Sequence, residues 1–264
     1  MPVSKAFISV YDIGLLRGYA IYDGITAFGK KVFRLPDHMK RFRNSAKAMS
    51  LKVPHTDSEI KKIIETLVKK NGFARTNLRL ILTGGQTLFG IDYDYDKPTF
   101  FILAEEFSPL PKEFYESGAT LVTVEHQRFM PESKTTNYIT AVKSQSKRKG
   151  AKAVEVLFTS NGEVLECSTS NIAIFKGDKI IAPDKNILGG ITLKVVLELA
   201  KKKFKIERRT FKLKELLTAD EVFITSSYKD IVPIISVDSK KIGNGKIGPK
   251  TKILMELFAN YTRL

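Results

Sequence analysis

The sequence predicts a mixed α+β chain of two domains divided near residue 110. Three observations lead there. Strand-like and helix-like segments are interspersed along 264 residues, a length comfortable for two small domains or one large α/β unit. Hydrophobic residues make up 43% and charged residues 27%, so a packed core is within reach and disorder is not expected. Phe107-Ser108-Pro109-Leu110-Pro111 interrupts regular structure with two stiffening prolines and is the best linker. The expected division is a small N-terminal domain over 1–107, a linker over 108–117 and a larger domain over 118–264.

The elements follow in order. Val3 to Val10 alternates and predicts a strand, and Asp12-Ile13-Gly14 a turn. Arg17 to Phe28 runs from a loop into a strand, and Gly29-Lys30-Lys31 turns into a second strand at Val32. Pro36-Asp37-His38 starts a helix that runs to Met49. Thr56-Asp57-Ser58-Glu59 is a capping box, followed by Ile60, Ile63, Ile64, Leu67 and Val68 at helical spacing and by the stop signal Asn71-Gly72. Asn77 to Thr83 and Pro98 to Ala104 predict strands joined by the long loop Gly84 to Lys97. Beyond the linker, Thr120 to Val124, Ala153 to Thr159, Glu163 to Cys167, Asn171 to Lys176, Glu221 to Ser226 and Ile231 to Val237 predict strands. Thr136 to Lys149, Thr192 to Lys203, Lys214 to Leu217 and Lys250 to Tyr261 predict helices.

Composition narrows the function. No apolar run approaches the roughly 20 residues of a membrane span, and Met1-Pro2-Val3-Ser4-Lys5 does not read as a secretory signal. The single cysteine, Cys167, excludes an internal disulfide and a cysteine-based zinc site and fits a reducing cytoplasm. His38, His55 and His126 lack metal-ligand spacing. The net charge of +16 is spread over lysine-rich runs such as Lys201-Lys202-Lys203 and Lys240-Lys241. None of these runs interleaves arginine with aromatics, so a solvated surface is expected rather than a nucleic-acid face.

The chemistry centres on Lys134, between a predicted strand and a predicted helix. A lysine that is partly desolvated exposes a neutral amine, which is both nucleophile and base. Glu166 lies on a predicted strand, where a carboxylate can keep a pyridine nitrogen protonated. Leu188-Gly189-Gly190-Ile191-Thr192 opens a helix with glycines, so that backbone N–H groups and the helix dipole can hold an anion. Thr225-Ser226-Ser227 supplies hydroxyls at a strand end, and Arg41 a guanidinium suited to phosphate. A lysine, a carboxylate and a phosphate-type helix start point to pyridoxal 5'-phosphate, with Lys134 as the Schiff-base lysine.

The motifs Tyr22-Asp23-Gly24, His38-Met39-Lys40-Arg41-Phe42 with Ser45, Lys134-x-x-Asn137, Glu166-x-Ser168-x-Ser170-Asn171, Gly190-Ile191-Thr192 and Thr225-Ser226-Ser227 run in one order along nearly the whole chain. Together they resemble the fold-type IV pyridoxal-phosphate enzymes: branched-chain and D-amino-acid aminotransferases and aminodeoxychorismate lyases. The resemblance implies a small N-terminal α/β sandwich and a larger C-terminal pseudo-barrel domain, usually in a homodimer. It implies that Lys134 is the cofactor lysine and Glu166 the partner of the ring nitrogen, and that Arg41, Ile191, Thr192, Ser226 and Ser227 bind phosphate, with Asn171 and Tyr138 near the cofactor. It also implies ping-pong transfer of an amino group between amino acids and 2-keto acids, with Lys134 moving the Cα proton.

Substrate preference is less fixed by these motifs. Branched-chain enzymes usually carry an arginine where this chain has Thr26, and Tyr228-Lys229 replaces their small-residue turn. Better known D-amino-acid enzymes have an Arg-x-His pair in the loop that here spans Gly84 to Lys97, which contains neither residue. Arg17 and Arg79 are the expected carboxylate binders, with Lys229 as helper and Tyr22 lining the pocket. The arrangement resembles a less typical D-amino-acid aminotransferase group. The alternatives are an L-branched-chain aminotransferase, an aminodeoxychorismate lyase, or a basic nucleic-acid-binding protein on a degenerate scaffold.

Overall fold

In the computed structural model, which describes residues 1–263, the chain forms two compact units. The first comprises Met1–Ser108 and Glu132–Asn137, the second Pro109–Pro131 and the chain from Tyr138 onward. Residues 132–137, Lys134 among them, thus group by contact with the N-terminal unit although they follow Pro109 in the chain.

The first unit contains α1 (Ile13–Arg17), β1 (Ala20–Phe28), β2 (Lys31–Val32), α2 (Leu35–Ala48), α3 (Asp57–Asn71), β3 (Arg75–Thr83), β4 (Thr87–Phe89), β5 (Asp92–Tyr93) and β6 (Thr99–Glu106). Strands β2-β1-β3-β6 make an antiparallel sheet in that order. Period-2 alternation sends Leu78, Leu80 and Leu82 of β3 and Ile21 and Ile25 of β1 into the core, against Phe42 of α2 and Ile60 and Ile64 of α3. The expected box at Thr56 and Glu59 caps α3 in both directions, and Gly72 closes the helix in the left-handed conformation.

The second unit contains α4 (Glu113–Glu116), β7 (Ala119–Glu125), α5 (Ile139–Lys143), α6 (Gln145–Gly150), β8 (Glu155–Ser160), β9 (Glu163–Cys167), β10 (Asn171–Lys176), β11 (Lys179–Ala182), α7 (Ile191–Ala200), β12 (Lys205–Arg208), α8 (Leu213–Leu217), β13 (Glu221–Ser226), β14 (Asp230–Val237), β15 (Lys240–Lys241) and α9 (Pro249–Arg263). Its mixed sheet has the order β12-β11-β10-β13-β14-β7-β8-β9, with β15 beside β14. β9 and β10 stand at separated places in that order yet are joined by the tight turn Ser168-Thr169-Ser170, so the sheet curls. Leu157, Val164, Ile172, Ile174, Ile224 and Val232 fill its core, and α7 and α9 pack on β13.

Some elements differ from expectation. Val3 to Val10 is not a strand: Val3–Lys5 is a short 3-10 turn, and Phe7 and Val10 are exposed. Alternation makes a strand only where a neighbouring strand accepts its hydrogen bonds, and this segment has none. Ile13 begins a short helix rather than completing a turn, because the Asp12 carboxylate caps it at the Gly14 N–H, 2.7 Å away. The helix expected over 136–149 is divided at Ser144 into α5 and α6. The Ser144 hydroxyl donates to the Thr140 carbonyl at 2.7 Å, a back-bond that bends helices. The loop over 84–97 contains the small hairpin β4–β5.

Candidate active site

In the first unit, Lys134 is placed by its backbone. β2 pairs only with Ala27 and Phe28 of β1, so the other end of that edge lacks a strand. Residues 134–136 fill it: the Tyr22 N–H donates to the Lys134 carbonyl (2.9 Å), the Thr136 N–H donates to the Ala20 carbonyl (3.0 Å), and Ile21 bridges Thr135. The Lys134 N–H donates to the Ser45 hydroxyl of α2 at 3.0 Å. Its ammonium nitrogen lies 4.6 Å from the centre of the Tyr22 ring, close enough for a cation–π contact.

Asp23 faces the opposite side of β1, fully buried beside His38 and Arg41 of α2. Arg41 grips it with two hydrogen bonds of 2.8 Å, and His38 Nδ1 lies 2.7 Å from Oδ1. Burial would push the Asp23 carboxyl up, but Arg41 and then His38 outweigh it and hold the group well below the usual carboxylate range. Burial also pushes His38 down, against the pull of Asp23. The neutral ring donates from Nδ1, which leaves Nε2 buried without a hydrogen-bond partner among the described residues.

The lowered Asp23 value makes its contribution to stability depend on pH. The contribution is complete above the unfolded carboxyl pKa of about 4 and is lost as the pH falls through the lower folded value. Asp23→Asn is therefore expected to lower the urea midpoint most at neutral pH. The gap from the unsubstituted protein should narrow in acid below about pH 4. A gap independent of pH would contradict the assignment.

Of the expected carboxylate binders, Arg79 lies on β3 with its side chain on the Tyr22 face. Gly24 pairs with Arg79 and Tyr22 with Ile81, so Tyr22 and Arg79 are diagonal neighbours, with Cα atoms about 7–8 Å apart. Arg79 is 40% exposed and loosely paired with Glu105 at 3.7 Å. Arg17 ends α1 in solvent and donates to the Leu16 carbonyl at 2.9 Å.

In the second unit, Glu166 is 6% exposed. Arg128 Nε donates to its Oε1 at 2.7 Å and the Leu188 N–H to its Oε2 at 3.1 Å. Arg128 is also tied to the Pro131 carbonyl. Asn171 donates from Nδ2 to the Leu188 carbonyl at 2.8 Å. A Cβ on Gly190 would fall 1.7 Å from Asn171 Oδ1, so only glycine fits there. Gly190 is the N-cap of α7 and provides no side-chain cap, and Ile191 and Thr192 form its first turn. Thr225 Oγ1 and Ser226 Oγ, at the end of the β13 strand on which α7 packs, are buried without hydrogen-bond partners among the described residues. Ser227 follows them. Lys229 turns inward: its ammonium lies 2.8 Å from Glu155 Oε1 and 2.6 Å from Thr169 Oγ1. The expected helper for a substrate carboxylate is thus engaged by a buried protein carboxylate. Tyr138 is the N-cap of α5.

Sequence reasoning missed Arg128, which sits in His126-Gln127-Arg128 without any pattern. It also missed the partners of Asp23, although a readable signal existed. Asp23 alternates with Ile21 and Ile25 on the core face, and a carboxylate there requires partners.

The groups present fit pyridoxal 5'-phosphate. One unit offers a lysine beside an aromatic ring. The other offers a buried carboxylate, a glycine-opened helix start and orphaned hydroxyls that a phosphate would satisfy. Residues 20–237 match the amino-transferase class IV family, and the chain belongs to that family of pyridoxal-phosphate-dependent aminotransferases. It is 34% identical over 263 residues to a putative branched-chain-amino-acid aminotransferase of Methanocaldococcus jannaschii, covering 96% of this chain and 90% of that one. It is 30% identical over 261 residues to the D-alanine aminotransferase of Listeria monocytogenes, with the same coverage of 96% and 90%. The solved T.th. branched-chain amino acid aminotransferase with pyridoxamine 5'-phosphate superposes with a TM-score of 0.92 at 27% identity, covering 99% of this chain and 91% of that one. A putative 4-amino-4-deoxychorismate lyase from Legionella pneumophila shares the fold at 19% identity, with a TM-score of 0.88 over 98% of this chain and 97% of that one. The two-domain α+β fold and the cofactor expected from the sequence are those of this family. No helix among the described residues is long and apolar enough to cross a membrane.

Proposed function

We propose that the enzyme moves an amino group between a D-amino acid, such as D-alanine or D-glutamate, and a 2-keto acid such as 2-oxoglutarate. The observation that carries this reading is Arg79, which stands on the same sheet face as Tyr22, over whose ring the Lys134 ammonium lies. Its exposed pairing with Glu105 is weak, so the guanidinium can turn to a substrate carboxylate. Arg17, exposed at the end of α1, is the second carboxylate binder, and Tyr22 lines the pocket. When bound, pyridoxal phosphate supplies a carbon that bonds the amino nitrogen and a protonated ring that accepts the electrons left by the Cα proton. Lys134 takes that proton and returns it. Glu166, held by Arg128 and Leu188, would supply the carboxylate that keeps the ring nitrogen protonated. Thr192, Ile191, Ser226, Ser227 and Arg41 bind phosphate, and Asn171 holds the turn before α7.

The relative at 34% identity supports a second reading, an L-branched-chain aminotransferase. Half-reaction absorbance spectra separate the two. D-alanine or D-glutamate is expected to convert the bound cofactor, and conversion by L-leucine alone would sink the D-specific reading.

The enzyme is further proposed to act as a homodimer in a reducing cytoplasm, the compartment that its lone buried Cys167 fits. Val10, Tyr11, Leu15 and Leu16 are exposed, as are Leu88, Phe89 and Ile91 of the β4–β5 hairpin. The Thr87 N–H donates to the Tyr11 carbonyl at 2.9 Å and Asp12 bridges Gln86, which joins the two apolar segments. A surface of this kind calls for a second copy of the chain. Sedimentation equilibrium should give twice the chain mass, and a monomer at micromolar concentration would overturn it.

A further inference from the structure

Glu155 opens β8 at 3% exposure, a buried charge for which transamination supplies no role. Ser168 Oγ and the Thr169 N–H donate to Oε2 at 3.1 and 2.8 Å. Ser170 Oγ and the Lys229 ammonium donate to Oε1, the latter at 2.8 Å. Burial would push the Glu155 carboxyl up, but Lys229, followed by Ser170 and Thr169, outweighs it and lowers the group from its ordinary value.

The partners belong to two turns with neighbours that matter. Ser168-Thr169-Ser170 lies between Glu166 and Asn171, and is closed by the Cys167 N–H donating to the Ser170 carbonyl at 2.8 Å. Lys229 lies in the turn after Ser226 and Ser227, where the Tyr115 hydroxyl donates to its carbonyl at 3.1 Å. Lys229 reaches Thr169 as well as Glu155, so one ammonium binds both the first turn and the carboxylate that organises it.

We propose that the Lys229–Glu155 ion pair is a positioning device. It fastens the turn after Glu166 to the turn after Ser227, so that the ring-nitrogen carboxylate and the phosphate hydroxyls are held as one set. This rests on reading Glu166, Ser226 and Ser227 as cofactor contacts. The Lys229 ammonium and both Glu155 oxygens are engaged by the protein itself. A buried pair of this kind adds little net stability over apolar residues, but its hydrogen bonds fix geometry.

The test compares K229M, K229R and E166Q by three readouts. They are retention of pyridoxal phosphate in equilibrium dialysis, the pH midpoint at which the bound cofactor's visible absorbance changes, and thermal unfolding of the apoprotein. K229M is expected to weaken retention about tenfold. It should also move the absorbance midpoint in the direction that E166Q moves it, by a smaller amount. K229R, which keeps the charge and can still reach Glu155, should restore both. A K229M protein that loses only thermal stability, while E166Q shifts the midpoint, overturns the positioning role and leaves the Glu166 reading standing. An E166Q protein with an unchanged midpoint overturns both. If K229M does not fold, E155Q carries the test, since it removes the charge that holds Lys229 while keeping an oxygen to accept from the Ser168–Ser170 turn. Its midpoint should move the same way, and no movement overturns the proposal.

Discussion

Lys134→Ala is expected to reduce amino-group transfer by roughly 10³-fold or more, on the order of the loss of both nucleophile and proton carrier. The fold should survive. The backbone groups of residues 134 and 136 and the Thr136 hydroxyl lay this segment along β1, and the bond to Ser45 leaves from the Lys134 N–H. Alanine keeps all of these, while the amine and its contact with the Tyr22 ring are lost. Single-turnover kinetics with a saturating amino acid, alongside thermal unfolding, check the result. Turnover within tenfold of the unsubstituted enzyme would remove Lys134 from the chemistry.

Glu166→Gln is expected to lower turnover by about 10²- to 10³-fold with little change in KM for the amino acid. Glutamine has nearly the same shape but a single acceptor oxygen, so it can accept from Arg128 or from the Leu188 N–H and sets its amide NH2 against the other donor. What it lacks is the negative charge that keeps a pyridine nitrogen protonated, and with it the ring's capacity to take up electrons from Cα. The effect therefore belongs in kcat. A change confined to KM would show that Glu166 acts on substrate binding, contrary to the assignment.

Much of the fold is legible in the sequence because it is written locally. The Thr56–Glu59 box, the Gly72 stop and the alternation of Leu78, Leu80 and Leu82 each involve residues close in the chain, and each appears where expected. Elements that depend on distant partners are harder to read. Val3 to Val10 has the alternation of a strand but no neighbour to pair with. β11 and β12 are a parallel pair whose registry no local motif announces.

The candidate site divides in the same way. Glu166, Asn171, Ile191 and Thr192 sit in motifs and can be named from them. The Arg128 that holds Glu166 lies far from it in sequence, in a stretch with no pattern, and only the sheet brings the two together. Lys229 is legible as an unusual cation in its turn, but its direction is not, because the buried partner Glu155 lies on a different strand. Likewise Arg41 reads as a cation suited to phosphate, while its grip on Asp23 emerges only from the packing of α2 on β1.

The edge of β1 also bears on the order of folding. Thr136 meets the Ala20 carbonyl across 116 residues of chain, whereas paired residues of β1 and β3 are 47 to 63 apart, from Phe28–Arg75 to Ala20–Thr83. Closing the longer loop costs more entropy, so β1, β3 and β6, whose partners are closer in the chain, can pair first. The N-terminal unit can thus reach most of its structure before its reactive amine arrives. During synthesis it would present an open strand edge, a site for unwanted pairing, until the later segment docks. The residue most needed for chemistry is among the last to take its place, so that a chain interrupted before residue 132 would be folded in large part and chemically inert.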